Sequence, residues 1–308
     1  MALELKETEF VWKDGEFIRW QDAQVHLLSL AVQFGVSLFE GIRCYESEGR
    51  RAIFRLGAHI RRLYNSCIVY RMAPEYSQEE YAQACVDVVA KNGLGSCYIR
   101  PMVIRGYGAA ALDPRASPIE SYVACWPLDT YLGAGALEKG VGVKVSSWQR
   151  AEPNTFPMRA KAAGHYNAAM LMKMEAHADG YADAIALGPN GLVSEGSGQN
   201  LFLVVDGQLI TPILDGTSLQ GITRDTVLKL ASDMGIPASE QLVARETLYT
   251  CDELFFSGTA TEVTPITSVD RIPVGSGKAG EITLQIQRRF MDIVKQRAED
   301  PYGWLTHV

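Results

Sequence analysis

The chain has 308 residues, 47% hydrophobic and 21% charged, ordinary globular values that exclude disorder, collagen and a coiled coil. That length predicts two domains. A net charge of −7 without a basic stripe argues against a nucleic-acid partner. No apolar run reaches the roughly 18–20 residues of a membrane span, and the first residues lack the basic and apolar regions of a signal peptide. The six cysteines (Cys44, Cys67, Cys85, Cys97, Cys125 and Cys251) lie mostly among apolar neighbours and form no CxxC pair. They read as buried thiols of a reducing compartment rather than a disulfide frame or zinc site, so the expectation is a cytoplasmic protein.

In chain order, β-rich runs at 10–13 and 16–19 flank Asp14-Gly15, a two-residue hairpin signal. Over 57–71, Ile60, Leu63, Tyr64, Cys67 and Ile68 follow helical spacing. A second helix starts at the capping box Ser77-Gln-Glu-Glu80 and stops near Gly93. Strands are expected over 96–104 and 122–126, with glycines and prolines breaking the chain between them. This mixture predicts an α+β N-terminal domain over 1–127 rather than a doubly wound sheet. The Gly/Ala-rich, aperiodic residues 128–138 read as the inter-domain loop, and 139–308 as the larger C-terminal domain. In that domain the expected elements are a strand over 141–148, a helix over 165–179 and strands over 184–187 and 192–194. A hairpin around Asp206-Gly207, a helix over 225–234, a strand over 253–257 and a helix over 282–295 follow.

Several motifs carry no chemistry. Gly106-Tyr-Gly108-Ala-Ala-Ala111 matches a dinucleotide fingerprint, but Leu112-Asp113-Pro114 breaks the helix that it must open. It reads as a glycine-rich surface loop; a colourless nucleotide-binding protein is the competing possibility that it leaves. Gly277-Lys278 lacks the Ser/Thr and upstream glycine of a P-loop. The five histidines have no metal-ligand spacing, and no Gly-x-Ser-x-Gly elbow exists.

The stretch from Ser147-Trp148-Gln149-Arg150 to Arg159-Ala160-Lys161-Ala162-Ala163-Gly164-His165-Tyr166 is the most informative. Lys161 stands among small residues, which would let a flat ring approach. A free lysine, with a pKa of about 10.4, is a poor nucleophile at neutral pH; in a tight apolar site it loses its proton more readily and forms Schiff bases. Spacing by itself still favours a surface lysine.

With Ser194-Glu195-Gly196-Ser197-Gly198-Gln199-Asn200 and Gly221-Ile222-Thr223-Arg224-Asp225, this stretch resembles the branched-chain amino acid aminotransferases. These are pyridoxal-phosphate enzymes of fold type IV, the D-amino acid aminotransferase-like fold. The likeness extends to Phe39-Glu40-Gly41-Ile42-Arg43, His59-Ile-Arg-Arg62-Leu63, Tyr98-Ile99-Arg100-Pro101, Ser257-Gly258-Thr259-Ala260 and Gly303-Trp304-Leu305, and so spans nearly the whole chain. It implies a two-domain α+β fold and a transaminase acting on leucine, isoleucine and valine with 2-oxoglutarate. The partners would be small amino acids and 2-keto acids, in a homodimer or larger homo-oligomer whose pockets are completed by a partner's loop.

The same resemblance implies residue roles. Lys161 would be the Schiff-base lysine and proton shuttle. Glu195 would pair with the pyridinium nitrogen, and Tyr166 would bond the ring phenolate. Arg62, Leu219, Ile222, Thr223 and Thr259 would complete the cofactor set, with the N-terminus of a helix taking the phosphate. Phe34, Phe39, Gly41, Tyr98, Arg100, Tyr131, Thr259 and Ala260 would line the substrate pocket. Thr259, Ala260 and the Tyr98 hydroxyl would face the α-carboxylate, and Arg100 the distal carboxylate of glutamate. Phe34 stands where several relatives carry a tyrosine, and the loop over 105–112 departs from the commoner bacterial pattern. Both bear on substrate range, where a D-amino acid or (R)-amine transaminase is the near alternative and aminodeoxychorismate lyase a farther one.

Overall fold

The computed structural model describes residues 5–109, 112–128, 131–133 and 135–308. Contacts divide the chain into two units, one of Met1–Asp129, Ala160–Gly164 and Val294–Val308, the other of Thr130–Arg159 and His165–Ile293. The first unit's leading stretch ends at Asp129. The short segment around Lys161 and the C-terminal tail, expected in the C-terminal domain, instead pack with the first unit.

The first unit opens with the hairpin β1 (Phe10–Lys13) and β2 (Glu16–Arg19). Asp14 and Gly15 both take positive φ, at 44° and 92°, as a two-residue turn on twisted strands requires. Then follow α1 (Leu30–Phe34), β3 (Ser37–Phe39), β4 (Ile42–Ser47), β5 (Arg50–Phe54), α2 (Leu56–Tyr70) and α3 (Gln78–Lys91). Two long strands, β6 (Cys97–Arg105) and β7 (Ile119–Pro127), complete the run. Among the described residues the sheet order is β17-β5-β4-β6-β7-β1-β2, where β17 is Leu305–His307, and β3 adds to β6. The core under α2 and α3 holds Leu38, Ile42, Ile60, Leu63, Tyr81 and Val88. Ile68, counted in the α2 stripe from spacing, is 75% exposed. It lies about 100° around the helix from Cys67, where the buried face ends.

In the second unit come α4 (Ala136–Lys139), β8 (Val141–Val145), α5 (Tyr166–Ala178), β9 (Asp183–Leu187) and β10 (Val193–Gly196). The hairpin β11 (Asn200–Val205) and β12 (Gln208–Pro212) follows, then α6 (Ile222–Asp233), β13 (Ala238–Gln241) and α7 (Thr247–Thr250). The last elements are β14 (Glu253–Gly258), β15 (Glu262–Val269), β16 (Ile272–Pro273) and α8 (Glu281–Val294). The sheet runs β10-β9-β8-β15-β14-β11-β12-β13, with parallel pairs at β9·β8, β8·β15 and β12·β13. The strand expected over 141–148 stops at Val145, because Ser146 and Ser147 turn to donate to the Glu175 carboxylate. Helix α6 begins three residues before the expected Asp225, so Ile222 and Thr223 form its first turn. Six described cysteines are free and buried, and no described helix is long and apolar enough to cross a membrane. Gly106 to Ala109 form an irregular loop, without the helix that a dinucleotide site needs; residues 110, 111, 129, 130 and 134 lie outside the described ones.

The capping box on α3 is realised, with Ser77 accepting from the Glu80 amide and Glu80 accepting from the Ser77 amide. Ser77→Ala should lower stability by about 1 kcal/mol, read as a shifted urea midpoint at unchanged slope.

Candidate active site

In the first unit the Lys161 segment runs against β3. The Phe39 amide donates to the Lys161 carbonyl at 3.1 Å, and Leu38 bridges to Ala162. The Lys161 amide donates to Ser66 Oγ at 2.9 Å, and that hydroxyl donates to the Arg62 carbonyl at 2.9 Å. The small neighbours now have a packing reason: Ala160 and Ala162 are buried, and a Cβ on Gly35 would stand 3.4 Å from Gly164 Cα. Lys161 Nζ lies 4.9 Å from the centre of the Phe39 ring.

Beneath Phe39, the Glu40 carboxylate is fully buried. Arg62 grips it through Nε at 2.6 Å and Nη2 at 2.9 Å, and His59 Nδ1 lies 2.7 Å from Oε2. Burial alone would push the Glu40 carboxyl up, but the Arg62 guanidinium and the His59 ring hold it well below the ordinary range. Burial lowers His59, with the cations of Arg62 and Lys161 adding to that against the pull of Glu40, so the ring is neutral. Arg62 is therefore an ion-pair partner as well as a candidate phosphate ligand, while neighbouring Arg61 is exposed.

The substrate candidates of this unit lie at the end of α1 (Phe34), on β3 (Phe39), between β3 and β4 (Gly41) and on β6 (Tyr98 and Arg100). Gly41 is glycine for a steric reason, since a Cβ there would lie 1.7 Å from the Tyr98 hydroxyl. The Arg100 guanidinium carbon sits 4.5 Å from the Phe39 ring centre, 5.4 Å from Tyr98 and 5.6 Å from Trp126. Its Nε is buried without a hydrogen-bond partner. Phe34, at the end of α1, is 50% exposed.

In the second unit the centre is Glu195, buried on β10. The β10–β9 register shifts between Val193 and Glu195, and such a bulge re-aims a side chain. Glu195 Oε2 accepts from Asn200 Nδ2 and the Leu219 amide, each at 3.2 Å, while Arg150 Nη2 lies 3.3 Å from Oε1. Asn200 also donates to the Leu219 carbonyl, and a Cβ on Gly221 would strike its Oδ1 at 1.9 Å. This ties Glu195 to the turn leading into α6. That helix has Gly221 as N-cap with no side-chain cap, leaving the amides of Ile222 and Thr223 in an anion-seeking first turn. Around the turn of Thr259 and Ala260, the hydroxyls of Ser257 and Thr261 are buried without hydrogen-bond partners. Tyr131 and Ala260 line one small pocket with Leu132, Ala136 and Thr264. Tyr166 opens α5, half-buried.

Sequence reasoning assigned no role to Glu40, His59, Ser66, Arg150 or Asn200. Glu40, His59, Arg150 and Asn200 lay within the quoted motifs, but partnerships across 5 to 45 residues leave no spacing signal. The anion-binding turn, the orphaned hydroxyls and a buried carboxylate surrounded by donors fit a phosphorylated cation-bearing ring such as pyridoxal phosphate.

Comparisons with known proteins agree with this chemistry. Residues 37–269 match the amino-transferase class IV family. The branched-chain-amino-acid aminotransferase of Escherichia coli (strain K12) is 46% identical over 304 residues, 98% of each chain. The crystal structure of the Escherichia coli branched-chain amino acid aminotransferase superposes with a TM-score of 0.95 at 46% identity, covering 97% of this chain and 99% of that one. The branched-chain amino acid aminotransferase from Thermobaculum terrenum, in its PLP-form, gives 0.90 at 35% identity, over 97% and 98%. The chain belongs to the class IV aminotransferase family and has its mixed α+β fold.

The buried cluster has a pH signature. A depressed Glu40 contributes stability above the unfolded value of about 4.3 and loses it as pH falls. A neutral His59 loses stability earlier, because the unfolded ring takes up a proton below about pH 6.5 while the native ring does not. Stability should therefore fall on acidification from about pH 7 to about pH 5, and His59→Gln should flatten that slope in urea titrations. Equal slopes would mean that the native ring takes up its proton as the unfolded ring does, and a steeper slope in the variant would mean a native ring that is already charged.

Proposed function

We propose that the chain is a transaminase moving the amino group between branched-chain L-amino acids (leucine, isoleucine and valine) and 2-oxoglutarate, with pyridoxal 5'-phosphate as cofactor. The full-length likeness to branched-chain aminotransferases carries this reading. When bound, the cofactor supplies an electron sink for charge developing at the substrate Cα.

The chain's own residues do the rest. Lys161 would hold the cofactor through its amine and, with the cofactor bound, would move a proton at the substrate Cα. Glu195 holds a proton on the ring nitrogen, and Tyr166 donates to the ring oxygen. Arg62, Leu219, Ile222, Thr223 and Thr259 hold the cofactor, its phosphate received by the open first turn of α6. The Tyr98 hydroxyl, given room by Gly41, orients the α-carboxylate with Thr259 and Ala260. Phe39 and Tyr131 enclose an apolar side chain and exclude water. Arg100 receives the distal carboxylate of glutamate, and Phe34 adds no hydroxyl to help it. A homodimer in the cytoplasm completes the proposal. Its support is a set of free, buried thiols and exposed apolar side chains such as Leu27 and Leu112, 73% and 81% exposed.

Lys161→Ala should abolish both turnover and the visible absorbance that wild type shows with pyridoxal phosphate; near-normal transamination in this variant would overturn the reading. Arg100→Ala should weaken the glutamate half-reaction by at least about tenfold, or roughly 1.4 kcal/mol, and the leucine half-reaction much less. Stopped-flow half-reactions measure both, and equal losses would make Arg100 a scaffold residue.

A further inference from the structure

The pair formed by Arg150 and Glu195 bears on how the ring nitrogen keeps its proton. Arg150 is only 6% exposed, and its backbone amide donates to the Leu187 carbonyl at 2.9 Å. Its Nη2 donates to the carbonyls of Gly196 and Ser197, at 2.6 and 2.9 Å, and stands 3.3 Å from Glu195 Oε1. The chain beyond Glu195 is fixed from the other side as well. Asp183, fully buried, accepts from Ser197 Oγ at 2.5 Å, Gln199 Nε2 at 2.9 Å and Lys173 Nζ at 2.7 Å. Glu195 is thus held on both oxygens, and of these three partners Arg150 alone is charged; Asn200 and the Leu219 amide are neutral.

We propose that Arg150 is a positioning residue for Glu195, keeping its carboxylate ionised and aimed so that the shared proton stays on the cofactor's ring nitrogen. This rests on the reading of Glu195 as the ring-nitrogen partner. A carboxylate and a pyridine share one proton, which sits either on nitrogen, giving an ion pair, or on oxygen, giving a neutral pair. A buried carboxylate left alone takes the proton, since burial disfavours its charge. A guanidinium at contact stabilises the anion strongly. It opposes the ring cation less, because a ring N–H donating to this carboxylate lies one bond farther away. The net effect favours the ion pair and therefore the electron-withdrawing ring. A merely structural Arg150, holding only the carbonyls of Gly196 and Ser197, would leave the proton where it is.

The test is the ¹⁵N resonance of ring-labelled pyridoxal phosphate in the holoenzyme. Wild type should show the pyridinium position. Arg150→Gln, which keeps a donor and loses the charge, should move the signal toward neutral pyridine and lower kcat by at least about tenfold. Arg150→Lys should keep the pyridinium signal, and in a Glu195→Gln background Arg150→Gln should add no further shift. If Gln prevents folding, Arg150→Met takes its place. If neither folds, Arg150→Lys decides alone, because a folded lysine variant with a neutral-pyridine signal would contradict a role for charge, and a retained pyridinium signal supports it. An unchanged resonance in a folded Gln or Met variant overturns the inference while leaving the transaminase reading intact. Failure of wild type to take up pyridoxal phosphate would instead overturn that reading itself.

Discussion

Burying a carboxylate without losing its charge is the constraint that organises the candidate residues within each unit. Glu40 has no solvent contact, and its ionised form survives because a bidentate arginine covers both oxygens. Glu195 solves the same problem with one arginine, one side-chain amide and one backbone amide. In each case the donors come from other elements of the same unit: α2 for Glu40, and the segments around Arg150, Asn200 and Leu219 for Glu195. Removing one partner of such a pair strands a charge, at a cost of about 3–5 kcal/mol. Each carboxylate therefore pins the elements that touch it, which is what a precisely shaped site needs from its supports.

The consequences spread along the backbone. Glu40 follows Phe39, whose amide bonds the Lys161 carbonyl, and Arg62 precedes by four residues the Ser66 hydroxyl that takes the Lys161 amide. Lys161 is thus held through both of its backbone groups, by β3 on one side and α2 on the other. Its side chain lies beside Phe39. The buried alanines around it fit the close approach to β3, a purely steric reason that composition alone does not separate from a chemical one.

Local signals were legible where local physics decides. The Asp14-Gly15 and Asp206-Gly207 hairpins, the Ser77 capping box and the α3 and α8 spans could be read directly, because turn chemistry and capping act over a few residues. Strands β3 to β5 and β15 escaped, since nothing in their short runs outweighs the pairings with distant strands that define them. The tail around Trp304 joins the first unit through β17 pairing with β5 and the packing of Trp304 on Phe54 and Arg55, across some two hundred and fifty positions of chain. Single residues followed the same division. Lys161 and Glu195 announce themselves through motif likeness, whereas Arg150 and Glu40 acquire meaning only from partners brought near by folding.

Under the role proposed for Arg100, one pocket must meet two unlike side chains. A guanidinium in a part-buried site needs a counterpart whenever no substrate carboxylate is present, or its desolvation goes uncompensated. Here the counterparts are the faces of Phe39, Tyr98 and Trp126, all within 5.6 Å of the guanidinium carbon. Aromatic faces attract a cation by roughly 0.5–2 kcal/mol, enough to hold it and weak enough to yield to a carboxylate. The same rings present apolar surface to a hydrocarbon side chain. An acidic residue in their place would hold Arg100 more tightly, but it would compete with glutamate and repel it. On the proposed reading, the aromatic surround suits alternation between an ionised and an apolar occupant, and the unpaired Arg100 Nε is a donor in reserve for the ionised one.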